Sequence, residues 1–110
     1  MNYELRFFLN LTAKYMKAVF IAYNQALTDA VNLILDRHQI RGYTKWADAQ
    51  GRGSKTGDPH FGTHTWPAMN SAILAITDDE QVEPLLNTLQ KLDAKAEKQG
   101  LRTFVWRVDG

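Results

Sequence analysis

The chain contains no cysteine. Disulfide staples, thiolate metal ligands and cysteine nucleophiles are excluded together, and a reducing cytoplasm is the expected location. Proline is scarce, with only three residues in the chain, and two of them, Pro59 and Pro67, fall in one segment. No charge sign dominates: thirteen Lys and Arg face twelve Asp and Glu, for a formal net charge of +1. The basic arm that tracks a phosphate backbone is missing, so no nucleic-acid partner is expected. Long apolar runs are missing too. The cluster Leu5, Phe7, Phe8, Leu9 and Leu11 is too short to cross a bilayer and has no small-residue cleavage site behind it, so neither an anchor nor an export signal is expected.

What is present suits one soluble domain. A length of 110 residues supports a single core, and 45% apolar with 23% charged residues is ordinary for a globular protein. Residues 1–15 are set apart as an N-terminal extension, either an added strand or helix or residues upstream of the natural start, and they are assigned no function. Residues 16–110 form the domain. Within it, residues 17–23 (KAVFIAY) read as a strand covered on both faces or central in a sheet. Leu27, Val31, Ile34, Leu35 and His38 recur at three- and four-residue spacing behind Asn24, a good N-cap, which predicts an amphipathic helix over 26–38. Gly42 is expected to end the turn after it. His38 reads as a helix-terminal residue with no chemistry.

Residues 43–50 alternate as a strand, with Thr44 and Trp46 on one face and Tyr43, Lys45 and Ala47 on the other. A third strand is expected over 68–77. Val82, Leu85, Leu86, Leu89, Leu92 and Ala96 then mark a second helix, acidic at its start and rich in lysine toward its end. Pro84 lacks an N–H, so regular helix is expected only from about Glu83, with Gly100 as its stop. Residues 101–108 (LRTFVWRV) read as a last strand. The order βαββαβ predicts an α+β, ferredoxin-like fold: a four-stranded antiparallel sheet with both helices on one face. Trp46, Phe104 and Trp106 would then leave the other face apolar, which calls for self-association unless the N-terminal extension covers it.

The segment 51–67, GRGSKTGDPHFGTHTWP, holds four of the seven glycines and two of the three histidines, and no aliphatic side chain larger than Thr. It is a loop, and a loop this long in a small domain is functional or unstructured. Its glycines fit neither a Walker phosphate loop, because no Gly-Lys-Ser/Thr opens a helix, nor a dinucleotide fingerprint. Glycine-rich backbone can still cup an anion beside Arg52 and Lys55. Residues 41–57 carry Arg41, Lys45, Arg52 and Lys55 against Asp48, a local charge of +3. The plainer alternative is a solvated loop with incidental cations. His60 and His64 are four residues apart, about 13 Å in an extended strand, so sharing a divalent metal with Asp58 as third ligand needs a curled loop or two subunits. Ser54 or Ser71 with a histidine base lacks a nucleophile elbow, so no catalytic residue is assigned and no enzyme is expected. Trp66 before Pro67 either docks the loop or stacks on a ligand ring.

The stretches MKAVFIAYN, IRGYTKW, GRGSKTGDPHFGTHTWP, AILAITDDE and LRTFVWRV, in this order from Met16 to Val108, resemble the P-II-like signalling proteins. The resemblance is nearest to a divergent branch whose loop carries Gly-Arg-Gly, Pro-His, Gly-Thr-His and Trp-Pro. It implies a homotrimer with small effectors held in clefts between subunits and a long loop that contacts a partner protein. On that basis Gly51, Arg52, Gly53 and Lys55 are the expected effector residues, and Ser54, Thr56, Gly57, Phe61 and Trp66 the partner loop. The effector is an adenine nucleotide or a divalent metal. The phosphate-wrapping loop of the family is reduced here to Lys98-Gln99-Gly100, the basic residues after the last strand are missing, and the loop has no tyrosine for uridylylation. The branch is associated with heavy-metal efflux, which implies a membrane transporter as partner and favours Asp58, His60 and His64 as the alternative, metal-sensing site.

Overall fold

The computed structural model describes residues 15–52, 58–63, 68–96 and 100–109. Strand β1 (Met16–Asn24) runs through a 3₁₀ turn (Gln25–Leu27) into helix α1 (Thr28–Arg37). Strands β2 (Tyr43–Ala49) and β3 (Asn70–Asp78) follow, then α2 (Asp79–Lys95) and β4 (Leu101–Val108). The sheet order is β2-β3-β1-β4, with every neighbouring pair antiparallel. This is the ferredoxin-like α+β plan expected from the element order.

Alternation along the strands decides the layers. Val19, Ile21 and Tyr23 of β1 and Ile73 and Ala75 of β3 share one buried cluster with Val31 and Leu35 of α1 and Val82, Leu85 and Leu89 of α2, so both helices cover that face. The intervening residues line the other face. Phe20 lies opposite Leu74 and Phe104, Ala18 opposite Ile76 and Trp106, and Ala72 opposite Trp46. On this side Phe104, Trp106 and Trp46 are 57%, 49% and 48% exposed.

Several boundaries differ from the sequence expectation; the second helix ends at Lys95 with Ala96 as its C-cap, ahead of the expected stop at Gly100. Asn24 does cap, its side chain accepting from Ala26 N–H, but the first turn is 3₁₀ and regular α-helix starts at Thr28. The stop of α1 is Gln39, in the left-handed region at φ 57°, rather than Gly42. Its N–H donates to Asp36 and that of Ile40 to Leu35, which satisfies two terminal carbonyls and turns Ile40 back into the core. Helix α2 begins at Asp79, five residues ahead of Pro84. Pro84 is on the exposed side, and burial of Val82, Leu85 and Leu89 on the opposite side carries the helix through it. His38 is more than a helix end. Thr88 Oγ1 donates to Pro84 O, so His38 Nε2 is the donor in its 2.8 Å bond to Thr88 Oγ1 and ties α1 to α2.

Tyr23 is 1% exposed and its hydroxyl has no hydrogen-bond partner among the described residues. A buried, unpaired hydroxyl costs about 1–3 kcal/mol in desolvation. Tyr23→Phe removes that cost and no bond, so it is expected to raise stability by about 1 kcal/mol, read as a higher urea midpoint at unchanged slope. A lower midpoint would mean that the hydroxyl finds a partner in solution.

Candidate functional site

The root of loop 51–67 is built by its own sequence turning back into the sheet. β2 and β3 last pair at Ala49 and Asn70. Between the diverging stems, His60 and Phe61 enter as isolated bridge partners. Gly51 N–H donates to His60 O at 2.9 Å and His60 N–H to Gly51 O at 2.6 Å, while Gly62 N–H donates to Ala68 O at 3.0 Å and Phe61 bridges Met69. Gln50 Nε2 adds a bond to the Phe61 carbonyl at 2.8 Å. Gly62, at φ 66°, takes a conformation open to glycine.

His60 is the centre of this ladder. Its Nδ1 lies 2.6 Å from Asn70 Oδ1; the amide oxygen only accepts, so Nδ1 carries a proton, and in the neutral ring Nε2 is the nitrogen with the lone pair. The ring lies beside Gly100, at φ 88° just before β4. Gly51 is equally constrained, because a Cβ there would stand 2.5 Å from Asn70 Nδ2. Backbone, imidazole and amide thus lock one another beside the first residue of β3.

The structure brings together only part of the expected effector set. Gly51 is half-buried and both of its backbone groups are committed to His60, so in this state its N–H is not offered to an anion. Arg52 follows directly and is exposed. Gly53, Ser54, Lys55, Thr56 and Gly57 lie outside the described residues, as do His64 and Trp66. Of the expected metal ligands, Asp58 is exposed and His60 is half-buried. Among the described residues no three His, Asp or Glu side chains come close enough to hold a metal ion. Phe61, expected in the partner loop, is half-buried at its bridge to Met69 and so forms part of the root. Asn70 and Gln25 were not singled out by the sequence. No pattern of spacing points to a side chain whose role depends on a neighbour across the sheet. No helix among the described residues is long and apolar enough to cross a membrane.

The family model described as nitrogen regulatory protein P-II matches residues 16–109. CPII of Thiomonas intermedia K12, solved with ADP and bicarbonate, is 26% identical over 86% of this chain and 86% of its own, with a TM-score of 0.68. Another CPII structure, with ADP, AMP and bicarbonate, is 25% identical over 86% of this chain and 96% of its own, at 0.66. A protein of Thermus thermophilus, described as a putative PII-like signaling protein, shares the fold at 20% identity over 86% of this chain and 87% of its own, at 0.59. No curated protein matches the chain in sequence.

Proposed function

The chain belongs to the nitrogen regulatory protein P-II family, and from that premise we propose that it is a non-enzymatic signalling protein. Three copies associate through the apolar sheet face, an adenine nucleotide binds in the clefts between them, and loop 51–67 passes its presence to a partner protein, a membrane transporter being the expected kind. The observation that carries this reading is the His60-centred root, which holds the stems of the loop and sets the exposed Arg52 directly after Gly51. An arginine there can meet a phosphate group through two parallel bonds. CPII, with ADP and bicarbonate bound in its structures, supplies the ligand class to try first.

Effector binding works as a switch only through unequal affinity for two states of the loop. In the state described here the Gly51 N–H is occupied by His60. A nucleotide that takes Arg52 and the residues after it therefore competes with, or completes, the ladder. Isothermal titration calorimetry with ADP is the test. The native chain is expected to bind, and Arg52→Ala to bind at least tenfold more weakly, as loss of a charge-assisted bond of about 1.5–3 kcal/mol requires. Equal affinity would remove Arg52 from the site, and no heat with the native chain would remove the nucleotide.

The second reading is a divalent-metal sensor using Asp58, His60 and His64. Its support is the His60–Asn70 bond, which fixes the tautomer and leaves Nε2 as the ligating nitrogen, the arrangement common to metal-bound histidines. Zinc uptake that disappears in a chain carrying both His60→Ala and His64→Ala, with assembly unchanged, would favour it over the nucleotide reading.

A further inference from the structure

We propose that Gln25, which lies outside the loop, is a positioning residue that locks the loop root in one of two registers. Regular pairing of β2 with β3 runs from Tyr43 opposite Ala75 to Trp46 opposite Ala72, and resumes at Ala49 opposite Asn70. Three steps on β2 therefore match two on β3. The extra residue is absorbed by a bulge in which Asp48 takes the left-handed conformation, at φ 57°. Without it, Asp48 would stand opposite Asn70. Each later residue of β2 would shift by one and turn to the other face, Gly51 would leave His60, and Arg52 would point elsewhere.

Gln25 selects the bulged register. Its Nε2 donates to Asp48 Oδ1, reaching from the end of β1 past β3 to β2. Its own backbone is held at both ends: the N–H donates to Met69 O at 2.8 Å, and the carbonyl accepts from Thr28 Oγ1 at 2.7 Å. One residue at the entry of α1 thus grips both stems of the loop, the descending one through Asp48 and the returning one through Met69. A left-handed aspartate is uncommon but tolerated, so the two registers are close enough in energy for a single bond to choose between them. Movement of the loop root is then coupled to the start of α1.

The functional weight of this lock rests on loop 51–67 being the effector loop, but its test does not. Amide hydrogen exchange, followed residue by residue in the ligand-free protein, reports the Gly51 and His60 N–H groups, which are paired only in the bulged register. Gln25→Ala and Asp48→Ala are each expected to speed exchange at Gly51 and His60 at least tenfold while Ile21 and Ile73 keep native rates. Asp48→Asn, which keeps both the acceptor and the tolerance for positive φ, is expected to exchange as the native chain does. Native rates at Gly51 and His60 in either alanine variant would overturn the proposal, and so would a uniform loss of protection through the core. If Gln25→Ala fails to fold, Asp48→Ala, at an exposed edge position, decides alone. Titration of the native chain with ADP tests the effector reading separately, so either can fail while the other stands.

Discussion

Phe104→Asp combined with Trp106→Asp is expected to turn the assembly into single chains at micromolar concentration, read by analytical ultracentrifugation as a threefold fall in mass. Both rings lie on the sheet face away from the helices, about half exposed, and neither belongs to the buried cluster. Each aromatic side chain carries about 150–250 Å², so covering the exposed half contributes about 2–3 kcal/mol per ring at 25 cal/mol per Å². A carboxylate in the same place reverses the sign, because an unpaired charge buried between copies costs several kcal/mol or more. The fold itself should survive, since the substituted positions face solvent in the single chain, and an unchanged circular dichroism spectrum checks this. If the variant keeps the native mass, the copies meet elsewhere. Loss of nucleotide binding together with assembly would place the binding cleft between subunits.

Gly51→Ala is expected to abolish the ordered loop root and weaken ADP binding at least tenfold. The new Cβ would stand 2.5 Å from Asn70 Nδ2, too close for contact, and Asn70 cannot yield without giving up His60. The decisive measurement is a double-mutant cycle. Asn70→Ala alone also breaks the His60 bond, but it removes the obstacle, so adding Gly51→Ala in that background should cost little. Strong non-additivity in loop protection from trypsin, which cuts after Arg52 and Lys55, is the expected signature. Additive effects would mean that Gly51 and Asn70 act independently.

Much of the fold was legible because it rests on local periodicity. The continuous apolar run of β1, the three- and four-residue spacing of Leu27 to Leu35 and the stretch 101–108 each identify an element without reference to any other. Exposure of Trp46, Phe104 and Trp106 followed from the same alternation. Pro84 misled because local backbone chemistry and tertiary burial pull in opposite directions there, and burial won. Gln39 in place of Gly42 at the end of α1 is a similar case: the pull of Ile40 into the core sets the turn, and a non-glycine residue accepts the strained conformation.

The candidate site was legible in outline and hidden in its workings. Glycine and proline content marks 51–67 as a loop, but nothing local says that residues 59–62 return to the sheet. Their partners, Gly51 on one side and Ala68 and Met69 on the other, are separated from them by stretches with no periodicity. The bulge at Asp48 is equally silent in sequence, since aspartate in a strand gives no sign of which register its neighbours adopt. Gln25 and Asn70 are ordinary polar residues until the topology of the sheet sets them beside Asp48 and His60.

The return of residues 59–62 also divides the connection between β2 and β3 into two excursions, one leaving after Arg52 and one after Gly62. The entropy of closing a loop grows only slowly with length, by about 0.6 kcal/mol per doubling, so each excursion tolerates insertions cheaply. More to the point, they tolerate them independently. A few residues grafted between Arg52 and Asp58 leave the Phe61–Met69 bridge where it is, and a change between Gly62 and Ala68 leaves Gly51 against His60. The connection can therefore be remodelled one half at a time, with the shared stem serving as a fixed mount for two exchangeable parts.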